Sequence, residues 1–141
     1  MVRGGNSKDV GDLTELKTIG KFISGGYQVA IPFGDNSKYD LILDDDGEFY
    51  RVQCKTSWTC ADGGFMFNTH SQTTRNGEYH ETTYGNDIDA FAVYYPENGK
   101  LYWIEPEAAT SKKRTLRSSA KSDHTSIYWA ADYEFDGQIP G

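Results

Sequence analysis

Cations are scarce in this chain: 14 lysines and arginines stand against 21 acids, giving a net charge of −7 and an isoelectric point near 4.8. A uniformly basic surface for polyanions is therefore excluded, and any phosphate contact must come from a local patch. Cysteine is nearly absent. Cys54 and Cys60 do not form a Cys-x-x-Cys pair, and together with His70 and His80 their spacings match none of the common zinc patterns. Cys54 reads as a buried free thiol. No apolar run approaches the roughly 20 residues of a membrane helix, and Met1 to Ser7 lacks the apolar region of a signal peptide. The expectation is an intracellular, cytoplasmic chain without membrane contact. Repeats, low-complexity tracts and linkers are also missing, and 141 residues with 37% hydrophobic and 14% aromatic content suffice for one core but not two.

Two neighbouring runs carry the strongest signal. Tyr39-Asp40-Leu41-Ile42-Leu43 and Phe49-Tyr50-Arg51-Val52-Gln53-Cys54-Lys55-Thr56 flank Asp44-Asp45-Asp46-Gly47-Glu48, and the Asp-Gly pair predicts an antiparallel hairpin. Strand alternation puts Gln53 and Lys55 on one face and Val52, Cys54 and Thr56 on the other. Asp40 can reach the Gln53–Lys55 face from the adjacent strand. A carboxylate, an amide and an ammonium then lie together in an apolar sheet, which is costly unless the charges are paired or hold a metal. Two readings stand: a structural ion pair of Asp40 with Lys55, or a site.

Upstream, apolar residues at 13, 16, 19, 22 and 23 follow the helical period and predict a helix over 11–23, stopped by Gly25-Gly26. Glu15 lies beside that stripe, either as a first-turn acid favoured by the helix dipole or as a third member of the site. Downstream, Asp62 to Asp87 reads as a strand at Phe65-Met66-Phe67, a long polar loop, and a second strand. Gln72, Thr73, Thr74, Arg75 and Asn76 in that loop have side chains suited to base edges or phosphates. Ile88–Tyr95 and Leu101–Ile104 predict a second hairpin around Asn98-Gly99. Lys112, Lys113, Arg114, Arg117 and Lys121 form an acid-free basic patch, either a solvated face or a phosphate contact. Ser122 to Phe135 fits a short helix packed on the sheet, its aromatics also suited to a subunit interface.

Glu15 on an opening helix, Asp40 at the start of one strand and Gln53-x-Lys55 on the next resemble the PD-(D/E)XK nuclease superfamily over roughly residues 9–107. Within it, the segments 31–40, Val52-Gln53-Cys54-Lys55-Thr56 and 88–97 are most similar to small group I intron-type homing endonucleases, with archaeal Holliday-junction resolvases next. Two departures stand out: Tyr39 replaces the proline before the aspartate, and Gln53 replaces the second acid. The resemblance implies an α/β fold, a central mixed β-sheet with flanking helices and a restriction-endonuclease-like core, which hydrolyses DNA phosphodiesters with Mg²⁺ (or Mn²⁺). Its implied ligands are Asp40, Glu15 (directly or through a water), Gln53 and the Cys54 carbonyl, with Lys55 left for the nucleophile. Because glutamine brings no charge, one essential metal is expected rather than two. Gln72, Arg75, Lys112, Lys113, Arg114 and Arg117 are the expected contacts to double-stranded or branched DNA. A homodimer or homotetramer is expected from the pairing of active sites by symmetry.

Overall fold

The computed structural model describes residues 7–34, 37–61, 63–75, 78–106, 113–118 and 127–140, with the ribbon at 71–83 described by its backbone. A single long helix, α1 (Ser7–Ser24), precedes β1 (Gln28–Ala30), β2 (Leu41–Asp45) and β3 (Glu48–Thr56). Then come β4 (Trp58–Cys60), β5 (Gly64–Asn68), β6 (His70–Arg75), β7 (Glu78–Thr83), β8 (Ala90–Tyr95), β9 (Lys100–Ile104), β10 (Lys113–Arg117) and β11 (Glu134–Phe135). The main sheet has the order β1-β2-β3-β8-β9-β11, and β3 with β8 is its parallel pair. Strands β10-β5-β4 form a second sheet and β6-β7 a separate ribbon. The mixed central sheet is as expected.

Both predicted hairpins form. Asp45 pairs with Glu48 across Asp46-Gly47, and both turn residues have positive φ (53° and 95°), which is what a two-residue type I′ turn requires. Gly47 N–H also donates to Asp44 Oδ1 at 2.8 Å. The α1 stop follows its glycines as well. Gly26 adopts φ 93°, Tyr27 N–H reaches back to the Phe22 carbonyl and Gly26 N–H to that of Ile23, completing a Schellman cap.

Three expectations need correction. The predicted apolar stripe of α1 is only partly its buried face: Phe22 is buried with Thr14 and Thr18, spaced by four, and Ile19 packs against the core, while Leu13, Leu16 and Ile23 are exposed. Phe22 decides the rotation, packing edge-on against Trp103 and Phe135, and Thr14 Oγ1 lies 2.6 Å from Thr56 Oγ1. The polar loop after Phe67 is an antiparallel ribbon, with His70 opposite Thr83 through Arg75 opposite Glu78. Its β-branched threonines favour extended backbone, and Asn76-Gly77 between the strands is a hairpin signal passed over above. Finally, the expected helix at 122–135 is absent among the described residues. Residues Ala130–Asp132 make one 3₁₀ turn and Glu134–Phe135 joins the sheet edge, with Phe135 in the core.

The main sheet therefore has different covers on its two faces. One core, Phe22, Leu41, Leu43, Val52, Cys54 and Trp103 among others, lies under α1. The other, with Phe65, Phe67, Phe91, Val93 and Leu116, lies under the second sheet, and Tyr128 and Tyr133 pack against it. Those two aromatics thus serve the chain's own core. Phe22→Ala should lower unfolding free energy by about 3–5 kcal/mol in urea titration, the cost of removing a fully buried ring.

Candidate active site

Strand β3 continues beyond the last residue of β2 that pairs with it. Leu41 lies opposite Val52, and Asp40 N–H still donates to the Val52 carbonyl at 2.9 Å, but the chain leaves the sheet there. The next inward-facing amide, Cys54 N–H, is capped instead by the Asp40 side chain, whose Oδ2 accepts it at 2.9 Å. Within a strand, a residue's N–H and C=O point to the same edge. The Cys54 carbonyl is therefore directed toward this carboxylate, while its thiol sits in the core under α1 as a free cysteine.

Glu15, one residue past Thr14 on α1, brings its carboxyl beside Asp40, near enough for the pair to share a proton. Burial and then the Asp40 charge push the Glu15 pKa up to about 7. Burial raises Asp40 too, opposed by the Cys54 amide, by Glu15 and by the Lys55 charge. Two carboxyls that resist ionisation together form a site short of positive charge.

Lys55 supplies some of that charge from the other side of β3. Its Nζ donates to Tyr84 Oη at 2.9 Å and to the His70 carbonyl at 3.2 Å, and lies 4.8 Å from the Tyr84 ring centroid. Burial pulls its pKa down to about 8, against the pull of Asp40. Gln53 follows Lys55 on the same side of the strand and is half-buried. Alternation is as predicted, since Val52 and Cys54 are buried and Gln53 and Lys55 are partly open. Tyr84 went unnoticed in the sequence because Tyr84-Gly85-Asn86-Asp87 reads as a turn. The turn is there, as a 3₁₀ turn at Gly85–Asp87, and the tyrosine before it is buried. Asp89 is a brace: it pairs with Arg51 through Nε (3.1 Å), Nη2 (3.2 Å) and the backbone N–H (2.8 Å), tying β8 to β3.

The donor set suits a hard divalent cation. Asp40, Glu15, the Cys54 carbonyl and the Gln53 amide offer oxygens only, as Mg²⁺ or Mn²⁺ prefers. No group of three His, Cys, Asp or Glu side chains able to hold a metal occurs among the described residues, so neutral oxygens are needed to complete a shell.

The expected DNA-contacting residues are scattered. Gln72 and Arg75 lie on β6, with Glu81 and Glu78 as their backbone partners. Lys112 is outside the described residues, and Lys113 begins β10. Arg114 must be corrected: it is buried, its guanidinium 5.0 Å from the Tyr128 ring centroid, with Nη1 3.5 Å from the Glu105 carbonyl. Alternation along β10 turned it inward with Leu116, while Arg117 is only partly covered.

A helix acid, a strand-edge aspartate and a lysine on the adjoining strand, joined on one mixed sheet, define a nuclease with the restriction-endonuclease-like fold. A profile of the PD-(D/E)XK endonuclease family matches residues 5–136, and the chain belongs to that family. Protein 5.3 of Escherichia phage T7 is 33% identical over 104 residues, spanning 72% of this chain and 84% of that protein. Among solved structures, the bacterial homing endonuclease I-Ssp6803I is similar with a TM-score of 0.77 at 25% identity, covering 92% of this chain and 89% of that one.

The raised Glu15 pKa has a stability consequence. An acid whose folded pKa lies above its ordinary 4.5 favours the fold while protonated, and that contribution is lost as pH rises from about 4.5 through about 7. In EDTA, the melting temperature should fall across this window, and Glu15→Gln should flatten the fall. Added Mg²⁺ should restore more stability at pH 8 than at pH 5, because ligand carboxyls must be ionised.

Proposed function

We propose that the protein is a divalent-metal-dependent DNA endonuclease of homing type. The observation that carries this reading is the Asp40–Glu15 carboxyl pair at the strand edge with half-buried Lys55 beside it. Mg²⁺ or Mn²⁺ would be held by Asp40 and Glu15, helped by the Gln53 amide and the Cys54 carbonyl. Bound there, it supplies Lewis acidity and a water of lowered pKa. Lys55, held by Tyr84 and the His70 carbonyl, orients the attacking water and stabilises charge developing on the phosphate. The Cys54 amide fixes one carboxylate oxygen of Asp40, which would leave the other to serve the metal once Glu15 is ionised.

On the DNA side, a two-stranded ribbon such as β6–β7 has the shape the major groove admits, and Gln72 and Arg75 belong to it. Lys113 and Arg117 are the β10 residues assigned to phosphate contact. Cutting both strands calls for two such centres, hence a homodimer or homotetramer. Gln53 in place of an acid favours a second reading, a catalytically silent DNA-binding module, and a Holliday-junction resolvase would use the same chemistry on branched DNA.

The test is incubation with supercoiled plasmid, with long duplex DNA and with a synthetic four-way junction, in Mg²⁺ or in EDTA. Mg²⁺-dependent cleavage reduced about 10²–10⁴-fold by Lys55→Ala and by Asp40→Ala is expected. Cleavage of defined duplex sites identifies the homing reading, and preference for the junction identifies the resolvase. An Asp40→Ala variant that cuts as well as its parent would move the site elsewhere. Metal-independent binding without cleavage, unaltered by Asp40→Ala, would establish the silent module.

Binding variants should separate by position. Arg117→Ala should weaken DNA affinity and reduce the salt slope by about 1. Arg114→Ala should instead lower the melting temperature, because it removes a buried stacking contact.

A further inference from the structure

Neither the core nor the site explains the outward face of α1. Leu13, Leu16 and Ile23 are 54%, 67% and 57% exposed, and Val10 is 40% exposed beside them. Leu13, Leu16, Gly20 and Ile23 are spaced 3-4-3, the a and d positions of a heptad seam. The positions opposite that seam, Thr14, Thr18 and Phe22, are the ones the chain buries against its own sheet. Gly20 belongs to the seam, and a Cβ there would meet nothing within 4 Å. The chain's own packing has no need of this glycine, which costs a helix interior about 1 kcal/mol relative to alanine. A close approach from outside would need it.

Beside the seam runs a groove of about 560 Å³ between α1 and the C-terminal segment, lined by Gly20, Ser24, Gly25, Phe135 and Gly137 among others. Its floor is tight, since a Cβ on Gly25 would lie 2.7 Å from the Gly137 carbonyl oxygen. The charges flanking the seam specify an orientation. Asp12 lies on one edge and Lys17 on the other, five residues apart, which is the g-to-e′ spacing of parallel helix pairs. Parallel two-fold pairing brings Asp12 of each copy to Lys17 of the other. Antiparallel pairing would place Lys17 edges together.

We propose that α1 is a self-association surface on which a second copy of this chain docks through a parallel Leu13–Leu16–Gly20–Ile23 seam, with Asp12–Lys17 pairs at its edges. The surface rests on burial and charge alone, so a monomer would leave the single-centre cleavage chemistry standing. A seam from one 18-residue helix is short of the roughly 800 Å² per partner of standard complexes, so the pair forms and dissociates with concentration.

Sedimentation of the full chain from about 1 to 100 µM, the range of a weak complex, should move from the 15.8 kDa monomer to twice that mass. Leu16→Glu and Ile23→Glu, both at exposed positions, should each hold it monomeric with an unchanged circular dichroism spectrum. Asp12→Lys and Lys17→Asp should each weaken the dimer at least about 5-fold, the low end of 1 kcal/mol-scale coupling, and the double variant should recover it. Gly20→Cys, in a Cys60→Ser background, should crosslink copy to copy. A chain monomeric throughout, or a dimer insensitive to Leu16→Glu, overturns the surface. Failure of both the charge-swap recovery and the crosslink overturns the parallel register.

Discussion

The contact on which the rest of the site depends is the Asp40 carboxylate capping the Cys54 amide at the open end of β3. A hydrogen bond between a charged acceptor and a backbone donor contributes about 1.5–3 kcal/mol, and here it also satisfies an amide that β2 no longer reaches. It holds Asp40 in place, and Asp40 in turn makes Glu15 reluctant to ionise and attracts Lys55 from across the strand. A strand continued by four residues past its last partner on β2 thus produces an edge where polar side chains do the work of a ladder. The hydrogen bonding of the sheet and the chemistry of the site are one arrangement.

The two faces of β3 divide the labour. Val52 and Cys54 enter the core under α1, which fixes the strand against the helix that carries Glu15. Gln53 and Lys55 turn to the other layer, where Tyr84 and the His70 carbonyl receive the ammonium. Parallel pairing with β8, reinforced by the Arg51–Asp89 pair between the two strands, prevents the slip that would exchange these faces. Lys55 is consequently half-buried, polar-bonded and close to a carboxylate without being neutralised in a simple ion pair.

The site was legible in the sequence because its determinants are local: an Asp-Gly turn fixes the β2–β3 register, and alternation then fixes which residues share a face. The helix signal placed Glu15 beside the stripe, and only the family resemblance joined it to the candidate site. What was missed depended on contacts between distant segments. Phe22 rotates α1 by packing on Trp103 and Phe135, residues far along the chain, so only Ile19 and Phe22 of the apolar period turn to the core. Arg114 lies in a basic run, yet pairing of β10 with β5 carries it inward onto Tyr128. The aromatic stretch near residue 130 has a helical composition, but Phe135 gains more as an edge-strand residue inside the core. The β6–β7 ribbon was the exception, because Asn76-Gly77 announced it locally and the polar composition obscured that signal.

The glutamine at position 53 and the deficit of cations bear on the same problem. With a third acid, the site would bring additional negative charge to a strand edge that already holds two carboxyls unwilling to ionise together. With Gln53, the metal-free centre comprises an aspartate, a glutamic acid with a pKa near 7 and a lysine that is still mostly charged at neutral pH, a sum close to neutrality. A near-neutral centre repels an approaching phosphate far less than an acidic one, which matters most in a chain whose net charge of −7 offers little general attraction. On the proposed reading the cost would appear in metal affinity: a cation would have to displace the Glu15 proton and rely on neutral oxygens for part of its shell. Acidity, divalent ion and nucleic acid would then be linked through the Asp40–Glu15 pair, whose protonation would set the balance between an open centre and a loaded one.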